Sequence, residues 1–129
     1  MDEALERRLV EAATSARSNS VSGRSGFAVG AAIQSVDGTI WGGCNVENST
    51  YGLTVCAERV AIWKALSEGQ RKFTALAVVT GADLPTPPCG ACRQILWEFA
   101  GDVPIVSATT GGKTKRYRLS EIFPEPFDF

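Results

Sequence analysis

The chemistry-bearing residues of this chain fall in two short clusters, Cys56-Ala57-Glu58 and Pro88-Cys89-Gly90-Ala91-Cys92. Three thiols at these spacings can hold one zinc ion, and three protein ligands leave a tetrahedral ion one open position. That open position separates a catalytic zinc from a structural one. An all-sulfur donor set favours zinc over magnesium or manganese. Glu58 stands two residues after the first thiol, where a carboxylate can carry protons beside the metal. Zinc makes water acidic near neutral pH, so metal and carboxylate together suit hydrolysis.

Three thiolates around a divalent cation leave a net negative charge, so donors to the sulfurs are expected nearby. Arg59 and Gln94 are the candidates, as hydrogen-bond donors that tune the site. A lone Cys-x-x-Cys would be a weak signal, shared with redox and structural zinc proteins. A structural zinc would need a fourth ligand, and Cys44 is the one thiol left. Cys44 reads instead as a small buried residue at a strand end.

The elements that must position these residues follow from pattern. Leu5, Leu9, Ala12, Ala13 and Ala16 have helical spacing. The Ser- and Gly-rich stretch 18–26 reads as a mobile loop. Phe27 to Val36 and Thr39 to Val46 read as a hairpin turned at Asp37-Gly38, with Gly42-Gly43 marking a bulge or a close backbone approach. A helix runs from Cys56 to Gly69, and an apolar strand from Phe73 to Thr80. After a Pro-rich loop come a helix over Ala91 to Phe99, a strand over Val103 to Ala108, a strand over Thr114 to Arg118 and a short helix over Ser120 to Phe123. This order implies one mixed sheet with helices on both faces. Cys56 and Cys89 both fall where a loop enters a helix. The positive end of a helix stabilises thiolates.

Composition narrows the function. The chain has 129 residues, 44% hydrophobic and 21% charged, which predicts a single domain over 1–129. Its net charge of -1 argues against a nucleic-acid partner. The one basic cluster, Lys113 to Arg118, reads as a solvated strand edge. No apolar run approaches the roughly 20 residues that cross a bilayer. The acidic first residues do not resemble a signal or transit peptide, so the expected location is cytoplasmic. There is no histidine, which excludes Ser-His-Asp and Cys-His catalysis and any imidazole-ligated metal.

These clusters, with Phe27-Ala28-Val29-Gly30-Ala31-Ala32, Gly43-Cys44-Asn45-Val46-Glu47-Asn48 and Arg93-Gln94, carry a resemblance to the cytidine deaminase family, in its small three-cysteine, homotetrameric class. The resemblance spans about Phe27 to Phe127. It implies an α/β protein, a three-layer α/β/α fold with one mixed five-stranded sheet. It implies zinc-dependent hydrolytic deamination of cytidine and deoxycytidine to uridine and deoxyuridine, in pyrimidine salvage. Cys56, Cys89 and Cys92 would hold Zn2+ and Glu58 would be catalytic. Asn45 and Glu47 would bind the ribose hydroxyls, Phe27 would pack on the pyrimidine, and the Ala57 backbone would meet the amide edge of the base. Asn45 and Glu47 would alternate along one strand and so share a face. Tyr51 and Phe127 fall where relatives contact a neighbouring subunit, so a homotetramer is expected.

The chain departs from the family where relatives carry Pro-Tyr-Ser. Here the stretch is Gly23-Arg24-Ser25, which raises the expectation of tolerance for larger groups on the exocyclic nitrogen or for altered sugars. Alternatives are a deaminase of an aminopyrimidine antibiotic resembling blasticidin S, and a non-catalytic zinc-stabilised module. A nucleic-acid-editing deaminase is disfavoured by the lack of a basic surface.

Overall fold

Along the strand Phe73–Thr80 the apolar side chains divide between two cores. Leu76 and Val78 join one, Ala75, Ala77 and Val79 the other. A strand covered on both faces must be apolar throughout, which is why this segment shows no alternation. The computed structural model describes residues 1–128. Its elements are α1 (Glu3–Arg17), β1 (Val29–Ser35), β2 (Ile40–Cys44), α2 (Ala57–Ser67), β3 (Phe73–Thr80), α3 (Gly90–Ala100), β4 (Pro104–Thr109), β5 (Thr114–Arg118) and α4 (Leu119–Ile122), with a 3-10 turn at Tyr51–Leu53.

The strands form one five-stranded sheet in the order β2-β1-β3-β4-β5. Only β3 and β4 run parallel, so the sheet is mixed. Helix α1 covers one face through Leu9 and Ala13. The other face carries α2, α3 and α4 through Ala61, Ile62, Leu96 and Leu119. The result is the expected three-layer α/β/α arrangement. Ile33, Ile62, Leu76 and Leu96 are essentially fully buried, and each contributes about 1.5–3 kcal/mol relative to an exposed side chain.

Gly43 fixes how close α2 lies to the sheet. A Cβ there would sit 2.5 Å from Ala61 N and 2.7 Å from Ala57 O. The Gly42-Gly43 pair is therefore a close backbone approach. The β1–β2 pairing runs without a register shift across it.

Several expectations are corrected. β2 stops at Cys44, not Val46, because beyond Asn45 the chain turns to bridge Val21 and Val55. Phe27 precedes β1 and does not belong to it. The stretch 18–26 is tied down: Val21 N donates to Asn45 O at 3.0 Å and Glu47 N donates to Val21 O at 2.8 Å. Cys44 is half-buried at its strand end. The basic edge strand β5 is solvated as expected, with Arg116 donating to both Glu6 carboxylate oxygens at 2.7 and 2.6 Å. Such charges discourage edge-to-edge pairing.

Candidate active site

Cys56 is the N-cap residue of α2 and Cys89 that of α3, so two helix starts converge on one point. Cys89 Sγ accepts from Cys92 N at 3.5 Å, which holds the Cys-x-x-Cys turn closed. The three sulfurs of Cys56, Cys89 and Cys92 lie within 4.8 Å of one another, with Cys56 and Cys89 Sγ 3.9 Å apart. Cys44 is outside the cluster. This donor set fits a zinc ion: all sulfur, three in number, at the positive ends of two helices.

The electrostatics of the cluster favour a cation. Cys56 is held down to about 5, first because the Cys92 thiol donates to its sulfur and then because the Arg59 guanidinium does. Arg59 Nη2 lies 3.1 Å from Cys56 Sγ, as the sequence led us to expect. Cys92 is pushed up, because its proton is the one shared with Cys56 and because it is buried. A divalent ion bound to the three sulfurs would take the place of that proton. Cys56 and Cys89 line the adjacent cavity while Cys92 does not, so the cluster opens to the cavity on one side.

Glu58 lies in the first turn of α2, 5% exposed, and lines the same cavity. Burial pushes its carboxyl up to about 7, and the negative charge on Cys56 adds to the effect. A carboxyl near neutrality can both take and give a proton at working pH.

The cavity has a volume of about 300 Å³ and brings together Phe27, Asn45, Glu47, Cys56, Ala57, Glu58 and Cys89. Phe27 is 40% exposed and offers its ring to a planar ligand. Asn45 is largely committed within the protein. Its Oδ1 accepts from Val29 N at 2.9 Å and from the Ser20 hydroxyl, and its Nδ2 donates to Phe27 O at 2.8 Å. One amide proton remains for a ligand, and Asn45 also fixes how Phe27 enters β1. Glu47 accepts from Ser25 N at 3.0 Å and from the Ser25 hydroxyl, which holds its carboxyl below the usual range.

A second cavity of about 470 Å³ adjoins the first. The two share Ser25, Glu47 and Thr54, and the second adds Arg24 and Tyr51. Arg24 packs its guanidinium over the Tyr51 ring, 5.5 Å from the centroid. The divergent loop therefore borders both cavities, through Ser25 in the first and through Arg24 and Ser25 beside Glu47 in the second.

Gln94 does not reach the sulfurs. Its Nε2 donates to Phe127 O at 2.8 Å and its Oε1 accepts from Phe127 N at 3.0 Å. Sequence reasoning also missed Arg93, whose Nε donates to Pro88 O at 2.7 Å and whose Nη1 donates to Ile122 O at 2.7 Å. It braces the loop that presents Cys89 against α4. The available signal was a cation directly after Cys92, but spacing alone could not say which carbonyls it meets.

Residues 3–108 match the family model described as the cytidine and deoxycytidylate deaminase zinc-binding region. The chain is 43% identical over 121 residues to the cytidine deaminase of Sporosarcina psychrophila, covering 93% of this chain and 89% of that one. The crystal structure of cytidine deaminase from Burkholderia pseudomallei superposes with a TM-score of 0.91 at 39% identity, covering 98% of this chain and 100% of the other. A more distant relative is the blasticidin-S deaminase of Bacillus cereus, 35% identical over 104 residues and 74% of each chain.

Proposed function

This chain belongs to the cytidine and deoxycytidylate deaminase zinc-binding family, and from that premise we propose that it hydrolyses cytidine and deoxycytidine to uridine and deoxyuridine with release of ammonia. The observation that carries the reading is the placement of Glu58, buried and near neutral, in one cavity with a three-thiol cluster.

Cys56, Cys89 and Cys92 would hold the zinc ion, which when bound supplies a Lewis acid that activates water. Glu58 takes one proton from the attacking water and gives it to the ring N3, then takes the second from the new C4 hydroxyl and gives it to the leaving amine. Its burial keeps bulk water from competing for these protons. Phe27 packs against the pyrimidine and the Ala57 backbone meets the amide edge of the base. Glu47 and the remaining Asn45 amide proton orient the sugar hydroxyls, one as acceptor and one as donor. Arg59 steadies the thiolate of Cys56.

In this reading the chain acts as one domain over 1–129, in the cytoplasm, within pyrimidine salvage. The described residues contain no helix long and apolar enough to cross a membrane. We place the active sites near subunit interfaces of a homotetramer. The resemblance supports that assembly, as does the exposure of Tyr51 and Leu53 beside the cavities. The Asn45 and Glu47 pair favours a ribose-bearing substrate over the blasticidin-S alternative.

The test is loss of cytidine absorbance with zinc measured on the same sample. One zinc per chain and turnover of cytidine or deoxycytidine are expected. A zinc-loaded protein inert on both nucleosides would overturn the reading.

A further inference from the structure

The catalytic cavity does not end at the cysteine cluster. The strand ends lie in a row beneath it. Asn45 follows β2 and its N donates to Val29 O at 3.2 Å, and Val29 pairs with Thr80, the last residue of β3. Glu47 stands at the β2 end of this row, and Thr80 and Thr86 line the cavity at the β3 end. Val78 packs in the core beneath α2 and α3, so Thr80, two residues on, faces the same layer. Thr86 lies in the loop that leads into Cys89.

Thr80 is 1% exposed. Its Oγ1 lies 3.3 Å from Thr86 Oγ1 and accepts from Ala82 N at 3.3 Å. Two hydroxyls hold two protons and four lone pairs. The mutual bond uses one of each and Ala82 N uses one lone pair. One proton and two lone pairs are left uncommitted, in a cavity whose neighbouring walls are Val78 and Pro87.

We propose that Thr80 and Thr86 form the receiving site for the amine that leaves C4 of the pyrimidine, and that Thr86 limits what that amine can carry. This rests on the deaminase reading above. With the sugar at Glu47 and C4 beside Glu58, the exocyclic nitrogen points toward the β3 end. Water oxygen adds to C4 as Glu58 carries the first water proton to N3; Glu58 then carries the second from the C4 hydroxyl to the exocyclic nitrogen, and the C4–N bond breaks with its electron pair going to nitrogen. The products are a C4 carbonyl and neutral ammonia. Ammonia has N–H donors and one lone pair, which match the free lone pairs and the free hydroxyl proton of the threonine pair.

The test uses the zinc-loaded protein with zinc content checked in each variant. Thr80→Val and Thr86→Val keep the shape and remove the hydroxyl, while Thr80→Ser and Thr86→Ser keep the hydroxyl. On cytidine the Val variants should lose about tenfold in kcat with KM within about twofold, the size of one neutral hydrogen bond made in the transition state. The Ser variants should restore kcat. Thr86→Ala should raise the ratio of kcat/KM for N4-methylcytidine over cytidine by about fivefold, because the methyl gains the vacated space. Val variants within about twofold of wild type in kcat, or Ser variants as impaired as Val, or an unchanged ratio, overturn the proposal. Should buried Thr80→Val fail to fold, the Thr86 series in the loop decides alone. A wild type inert on cytidine sinks the deaminase reading itself, which is a different result from active variants that ignore the threonines.

Discussion

Arg59 Nη2 donates to Cys56 Sγ at 3.1 Å from within the first turn of the same helix. The guanidinium thus offsets part of the negative charge that three thiolates bring. Partners of metal ligands commonly change metal affinity by about 10–100-fold when removed. Arg59→Ala should weaken zinc binding by that order, read by competition with a chromogenic chelator. Arg59→Lys should fall between, since an ammonium is a point charge without the planar fork.

Gly43→Ala should destabilise the fold through the position of α2. The added Cβ would meet Ala61 N at 2.5 Å and Ala57 O at 2.7 Å, both backbone atoms that cannot swing aside. A loss of about 1–3 kcal/mol is expected, measured as a shifted urea midpoint. Because α2 carries Cys56 and Glu58 at its start, zinc content should fall in the same variant.

Arg93 and Gln94 tie the ligand-bearing end of α3 to the last segment of the chain, through Pro88, Ile122 and Phe127. Arg93→Ala leaves two carbonyls without a charged donor. Hydrogen bonds to charged groups are worth about 1.5–3 kcal/mol each. Arg93→Ala should therefore lower thermal stability more than Gln94→Ala, and should speed zinc loss to a chelator.

Asp102 gives a pH dependence with a definite sign. Its carboxylate accepts from Ser120 N at 2.7 Å, from Ser120 Oγ at 2.9 Å and from Arg118 Nε at 3.3 Å, which anchors the start of α4. The Ser120 backbone bond first, and Arg118 among the lesser causes, hold its carboxyl below the ordinary value of 3.8. A depressed carboxyl stabilises the fold above its unfolded value and loses that effect as pH falls through the folded one. Asp102→Asn should be less stable than wild type near neutral pH. The gap should close below pH 3.8, as read by urea midpoints across the acid range.

Much of this was legible in the chain itself. The Cys-x-Glu and Pro-Cys-x-x-Cys spacings placed both ligand groups at helix starts, because the helical periodicity begins directly after each cysteine. β3 and β5 matched their expected bounds, since Gly, Pro and charge changes punctuate them. The misses are tertiary. β2 ends early because the chain beyond Asn45 pairs with Val21 and Val55, distant residues that no local pattern names. Gln94 has the right spacing for a sulfur donor, but the returning segment at Phe127 takes its amide. Arg24 sits in a loop of Gly and Ser whose path is set by Ser25 bonding to Glu47, so its place beside Tyr51 could not be read locally.

In the proposed reaction Glu58 moves protons beside a zinc ion that three thiols would hold. Glu58→Gln keeps the side-chain volume and removes the carboxylate. Cytidine turnover and zinc content of this variant, measured on one sample beside wild type, test the claim most directly. Turnover should fall by about 10²–10⁴-fold while zinc stays at the wild-type level. Turnover near wild type with zinc retained would contradict the account.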